Sequence, residues 1–290
     1  MKHKRAVGEK IADFFNILIL SIIGVVMVYP MLYELFISLS EPALLLRHRG
    51  VLLKPLGFNL SGYKMVFNNS LILSGYRNTL FIIVVGVSIN LLLTSCGAYF
   101  LSRKNVLFYK PIMIFILITM YFSGGLIPRW LTVKDLGLYN SIWSLIIPVA
   151  INTYNMILLR SYFTSIPESL VESVFIDGGG HLTILFKIFV PLSLPAMAVM
   201  VLYYGVGHWN SWFNAMIYLR DQKHWPLQLV LREILIVGTQ LDFKGVIDYQ
   251  QFEEVIKAAA IIVTTLPVLF VYPFLQKYFV TGLMLGSLKD

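Results

Sequence analysis

The chain has 290 residues, of which 58% are hydrophobic and only 13% charged; it carries a formal net charge of +8 and a single cysteine. A soluble domain holds about a quarter charged residues, so this composition excludes an ordinary soluble fold and points to an all-α polytopic membrane protein. The basic excess calls for no nucleic acid, since cationic flanks on cytoplasmic loops account for it, and lone Cys96 excludes an intrachain disulfide.

Uncharged windows run from Asp13 to Glu34, Arg77 to Arg103, Lys110 to Arg129, Asp135 to Arg160, Lys187 to Arg220 and Lys257 to Lys277. Each approaches or exceeds the roughly 20 residues that cross hydrocarbon as a helix. The windows are continuously apolar rather than alternating, which favours helices over barrel strands. About six transmembrane helices follow, at roughly 14–38, 78–102, 109–127, 141–163, 188–215 and 257–279, with a polar loop over 164–187. The first is too long for a cleavable signal peptide, and no small-residue cleavage site follows it. Lys2, Lys4, Arg5 and Lys10 before it, and Arg103, Lys104 and Lys110 after the second, read as cytoplasmic by the positive-inside bias. With six spans both termini are then cytoplasmic, as is the 164–187 loop. The third span is broken at its end by Ser123-Gly124-Gly125 and Pro128. Asn90, Asn152, Thr153 and Asn155 are polar positions within spans, suited to helix–helix hydrogen bonds or to substrate contact. The external segment from about 221 to 254 has mixed charge, with Asp221, Lys223, Asp242, Lys244 and Asp248 among others, and reads as solvated.

The segment from Ile166 to Gly180 is acidic and glycine-ended between two charge-free runs. Ionised carboxylates at bilayer depth are costly, so Glu168, Glu172 and Asp177 place it in water, as a helix–turn–helix. Pro167 suits a first helical turn, Ser165 is a candidate cap, and Glu168 complements the helix dipole. Asp177-Gly178 stops the helix, with Gly178 expected at positive φ. Leu170, Val171, Val174 and Phe175 form an apolar stripe. That stripe has two available targets: a soluble partner, or the chain's own helices.

The fifth window holds Tyr203-Tyr204-Gly205-Val206-Gly207-His208-Trp209-Asn210-Ser211-Trp212-Phe213-Asn214. Rings stack on the C–H faces of sugars while amides reach hydroxyls, so Tyr203, Tyr204, His208, Trp209, Asn210, Trp212 and Asn214 are candidate pathway residues. Three residues apart, Trp209 and Trp212 would share a helix face. An interfacial aromatic belt is the competing reading. Elsewhere there is no G-x-x-x-x-G-K-[ST] phosphate loop, no Cys/His cluster with metal spacing and no H-E-x-x-H. No charge sits mid-span, which argues against a pump built on intramembrane carboxylates.

Glu172-Ser173-Val174, Asp177-Gly178, Ile188 and Pro191-Leu192-x-x-Pro195 together resemble the cytoplasmic E-A-A loop of binding-protein-dependent ABC importer permeases, with Ser173 and Val174 in place of the usual paired alanines. Arg77-Asn78-Thr79-Leu80 and Ala98-Tyr99-x-Leu101-Ser102-Arg103 resemble the ends of the second span in sugar permeases. Gly124-Gly125-Leu126-Ile127-Pro128, Leu136-Gly137-Leu138 and the tail from Tyr272 to Gly282 with Gly286-Ser287 look like the polysaccharide-type branch. The resemblance covers nearly the whole chain.

It implies a type I ABC importer permease fold, one transmembrane domain over 1–290 whose 164–187 loop is the coupling loop, in the bacterial cytoplasmic (inner) membrane. The implied partners are a homologous second permease, two cytoplasmic ABC ATPase subunits, an extracytoplasmic solute-binding protein, membrane lipid and an oligosaccharide substrate. Glu168, Leu170, Val171, Glu172, Val174, Phe175, Asp177 and Gly178 would dock to an ATPase, Glu172 as polar contact or brace and Gly178 as the tight turn. The chain would be a non-catalytic subunit without a cofactor, ATP and Mg being bound by the partner ATPase. An ion-coupled secondary transporter is the alternative class, marked by internal repeats and broken midplane helices. An ABC importer for a non-sugar substrate such as a peptide is the alternative within the family.

Overall fold

The computed structural model describes residues 7–103, 106–237 and 249–287. Lys2, Lys4, Arg5, Lys104, Asp242, Lys244 and Asp248 lie outside the described residues, as do the side chains of Tyr272 and of 274–287. Among the described residues there are helices and no strand. This is what a continuously apolar chain requires, because lipid offers backbone groups no partner outside the segment.

The chain divides into two compact units, Met1–Asn69 with Val237–Leu266, and Ser70–Ile236 with Pro267–Asp290. The first unit holds α1 (Val7–Ser38), α2 (Pro42–Leu45), α3 (Ser61–Asn68) and the opening of the C-terminal helix. Phe14, Ile17, Ile22, Val25 and Met27 of α1 are all exposed. A helix that is apolar all round belongs in lipid or against another chain. After α1, Ser40 Oγ donates to Phe36 O (2.6 Å) and accepts from the Leu56 amide (2.9 Å). Asn59 Nδ2 donates to Glu41 Oε2 at 2.6 Å. These bonds fold the 40–60 segment onto the end of α1, where Ile37, Leu52 and Ala258 make a small core.

The second unit is built around α4 (Ser70–Ser102). There follow α5 (Tyr109–Tyr121), α6 (Leu126–Asp135), two 3₁₀ turns (Ile142–Leu145, Ile147–Val149), α7 (Thr153–Thr164), α8 (Glu168–Ile176) and α9 (His181–Ile184). A π-helical turn (Leu185–Phe189), α10 (Val190–Leu192), α11 (Leu194–Trp209), α12 (Trp212–Tyr218) and α13 (Leu227–Arg232) complete it before α14 (Tyr249–Ser287), which begins in the first unit. α4 packs against α7, α11 and α13. One core, with Ala98, Leu159, Phe163, Ile184, Phe189 and Met200, joins α4, α7 and α11; a second, with Ile82, Val133, Leu145, Ala215, Tyr218 and Leu229, joins α4 to α6, α12 and α13. In lipid such cores hold by close packing and hydrogen bonding rather than by expelling water.

Gly8–Ser38, Ser70–Ser102 and Phe252–Val271 are long and apolar enough to cross a membrane as single helices. Three further helix pairs qualify only when each pair is counted as one span, bent by 110° (Tyr109–Tyr121 with Leu126–Asp135), 48° (Ile142–Val149 with Thr153–Thr164) and 87° (His181–Leu192 with Leu194–Trp209). The bends have local causes. Gly125 takes φ 87°, in the left-handed region, between α5 and α6. Pro148 lies in the second 3₁₀ turn, and Pro191 and Pro195 flank the break at Ser193. Each proline stands in the first turn of the element that follows, where its missing amide hydrogen costs no helical bond, so it suits the start of a new helix and not the continuation of the old one.

The candidate translocation cavity and coupling helix

Each bend leaves backbone groups without helical partners, and side chains must satisfy them. At the break before α7, Asn90 Nδ2 donates to Val149 O (2.8 Å) and Ala150 O (2.9 Å). That turns Asn90 Oδ1 toward His208, whose Nε2 lies 2.8 Å away and donates to it, so the ring nitrogen facing Asn90 carries the proton. The Tyr204 hydroxyl accepts from the Asn152 amide (3.1 Å) and shares a 2.7 Å hydrogen bond with Thr94. Asn152 Oδ1 caps α7 by accepting from the Asn155 amide at 3.0 Å. Asn90, Thr94, Tyr204 and His208 are all buried. Gly86 gives the imidazole its room: a Cβ there would fall 2.7 Å from His208 Nε2.

Beside this network lies a cavity of about 500 Å³, lined by Thr119 and Arg129, by Asn152, Thr153, Tyr154 and Asn155 at the head of α7, and by Tyr203, Tyr204, His208, Ser211 and Asn214. Four of the pathway residues expected from sequence therefore meet here: Tyr203, Tyr204, His208 and Asn214. Two of these, Tyr204 and His208, are engaged in holding the helix break. Trp209 instead lines a separate apolar cleft of about 460 Å³ with Leu80, Val84, Val206, Pro267 and Val271. Trp212 is exposed, with the Arg232 guanidinium 5.4 Å from its ring and Phe213 edge-on at 5.6 Å. Asn210 is exposed at the α11 terminus. The expected shared face of Trp209 and Trp212 does not form, because α11 ends at Trp209 and a new helix starts at Trp212. Thr119, Arg129 and Tyr154 were not singled out by sequence. Only Pro128 and the glycines before Arg129 hinted that the chain turns there.

The 166–180 segment forms α8 without a side-chain cap: Pro167 occupies the cap position, and Ser165 closes α7 instead, its Oγ donating to Tyr162 O at 2.7 Å. Gly178 has φ 76°, and the Gly179 amide donates to Val174 O at 2.8 Å. This is the left-handed turn that ends a helix. The apolar stripe splits between two faces. Val171 is buried and Val174 packs on the same core, whereas Leu170, Glu172, Phe175 and Asp177 are exposed and Ile176 is 86% exposed. Glu168 lies 3.6 Å from Arg103 Nη1. The Arg103 guanidinium sits 4.7 Å from the Phe189 ring centre and 5.3 Å from that of Tyr99, whose hydroxyl is 2.8 Å from His181 Nδ1. A cation stacked on two rings and facing a carboxylate thus ties α8 to α4 and to the π-helical turn. Among the described residues no three His, Cys, Asp or Glu side chains are grouped to hold a metal ion.

Apolar helices broken around a polar cavity, with a short amphipathic helix exposed beyond them, define a membrane transport protein. No protein-family model matches the chain. It is 45% identical over 241 residues to the polygalacturonan/rhamnogalacturonan transport system permease protein YtcP of Bacillus subtilis (strain 168), covering 82% of this chain and 84% of that one. Protein LplC of the same bacterium is 39% identical over 284 residues, 97% of this chain and 95% of its own. The crystal structure of a bacterial ABC transporter involved in the import of the acidic polysaccharide alginate contains a chain that matches with TM-score 0.90 at 33% identity, over 95% of this chain and 99% of that one. The chain belongs to the ABC importer permeases: it is a transmembrane permease subunit.

Proposed function

We propose that this permease forms half of the translocation pathway for oligosaccharides or polysaccharide fragments, in an importer fed by an extracytoplasmic solute-binding protein. It pairs with a homologous second permease in the bacterial cytoplasmic membrane, with both termini in the cytosol. Two ABC ATPase subunits bind ATP and Mg, and this chain performs no catalysis. The observation that carries the substrate reading is the cavity of about 500 Å³ at the helix breaks, walled by amides, hydroxyls and tyrosine rings. Such groups pair with sugar hydroxyls and stack on pyranose faces. The cargoes for which the similar transporters are named, polygalacturonan/rhamnogalacturonan and alginate, support the same class.

Coupling runs through α8. Leu170, Glu172, Phe175 and Ile176 face outward for an ATPase cleft, while Val171 and Val174 tie the helix to its own bundle. Closure of the ATPases on ATP would move α8, and the Glu168–Arg103 pair would pass that displacement to α4. The test is ATP hydrolysis by the reconstituted transporter across a panel of oligosaccharides. Stimulation by oligosaccharides and not by peptides is expected; the reverse pattern would sink the reading. Sugar accumulation by this chain alone in ATP-free proteoliposomes would equally sink it.

A further inference from the structure

Resting on that reading and deepening it, we infer that the cavity selects sugars bearing a carboxylate, and that Arg129 is the residue that reads the charge. The other polar side chains around the cavity are hydroxyls, amides and one imidazole. Hydroxyls and amides recognise sugar hydroxyls but do not separate a neutral pyranose from its uronic-acid counterpart. A guanidinium does: it is always charged, and its planar fork matches a carboxylate with two parallel hydrogen bonds.

Arg129 is placed for that task. It lies in the first turn of α6, directly after the 110° bend that brings this helix round from α5. It is exposed and lines the cavity. The ion pairs among the described residues engage Arg103, Lys223, Arg232 and Lys257, not Arg129. Arg103 and Arg232 are moreover stacked on rings, as structural arginines are. Arg129 has neither kind of partner among the described residues. Asn152, Asn155 and Tyr203 line the same cavity, so one pyranose unit can present its carboxylate to Arg129 and its hydroxyls to these groups. The cation also draws anionic substrate into the cavity by its field.

The complete transporter, with partner permease, ATPases and binding protein in proteoliposomes, tests this. The probes are an oligogalacturonide of defined length and a neutral maltooligosaccharide, read as stimulated ATP hydrolysis against sugar concentration at low and physiological salt. The oligogalacturonide should stimulate the parent with a half-saturating concentration that rises with salt. Arg129→Gln should raise that concentration about tenfold, near the lower end for a charge-assisted hydrogen bond, and should flatten its salt dependence. Arg129→Lys, which keeps the charge and loses the fork, should fall between. An Arg129→Gln variant with the parent's half-saturation, or with the parent's salt dependence and merely a lower thermal stability, overturns the inference. So does a parent stimulated by the neutral sugar and not by the acidic one, and in all three cases sugar import itself stands. A parent that no oligosaccharide stimulates removes the functional reading instead.

Discussion

Replacing Gly86 by alanine should destabilise the protein through His208. The new Cβ would fall 2.7 Å from His208 Nε2 and 3.0 Å from Cε1, well inside the ~3.5–4.0 Å of a favourable contact. The ring cannot swing aside freely, because it is only 5% exposed and Nε2 is held 2.8 Å from Asn90 Oδ1. Displacing it also loosens Asn90, which holds the Val149 and Ala150 carbonyls at the helix break. Overpacking a buried site costs about 1–3 kcal/mol, and an interhelical hydrogen bond in a membrane protein adds about 0.6–1.7 kcal/mol. The better helix propensity of alanine offsets about 1 kcal/mol. The net loss is then about 0.6–3.7 kcal/mol, a fall of roughly 1–15 °C in the midpoint of thermal unfolding for a chain of this size. Thermal unfolding of the purified protein measures it. His208→Ala removes the obstacle, so Gly86→Ala in that background should cost at least about 1 kcal/mol less than in the parent. A single variant as stable as the parent, or two losses that simply add, would refute the steric argument.

Three other outcomes follow from the same geometry. Gly178→Val should abolish ATP-driven uptake at normal expression, because a β-branched residue resists the φ of 76° that turns the chain after α8; undiminished uptake would defeat the proposed coupling role. Trp209→Ala should lower thermal stability and spare the ratio of sugar-stimulated to basal ATP hydrolysis, since the ring fills an apolar cleft, whereas Asn214→Ala on the polar cavity should lower that ratio; the opposite pattern would return Trp209 to the pathway. Asn140 Nδ2 donates to Asp221 Oδ2 at 3.1 Å and, with Lys223, holds this exposed carboxyl below its ordinary value of 3.8. A depressed carboxyl stabilises above its unfolded value and loses that contribution as pH falls through the folded one. Asn140→Gly, which tolerates the native φ of 59°, should therefore lower the unfolding midpoint more at neutral pH than below pH 3.8; a loss independent of pH would show that Asp221 contributes nothing.

Much of this protein was legible in the order of its residues, where the governing energies are local or very large. Excluding charge from hydrocarbon is costly enough that uncharged windows alone outline the candidate spans. The left-handed preference of glycine belongs to single residues, so Asp177-Gly178 announced its turn without help from the rest of the chain. Glycine and proline likewise marked Ser123-Gly124-Gly125 and Pro128 as the place where the third span breaks, whereas the break at Ser193, inside the 188–215 span, was not read from the sequence. What those marks could not supply was the sequel: that α6 turns back by 110°, or that Trp209 and Trp212 part onto different helices and face different surroundings. Nor could Asn90, conspicuous as an amide in an apolar run, name its partner, for His208 lies 118 residues further along. The same holds for Val174, whose stripe fits a soluble partner and the chain's own core equally well until α8 is seated. Arg129 reads in the sequence only as the charge that closes the third uncharged window, and becomes a cavity residue through the bend before it. Packing decides these points because an unsatisfied carbonyl or a charge in lipid demands a partner without specifying which one. Only the folded chain determines which helix stands close enough to provide it.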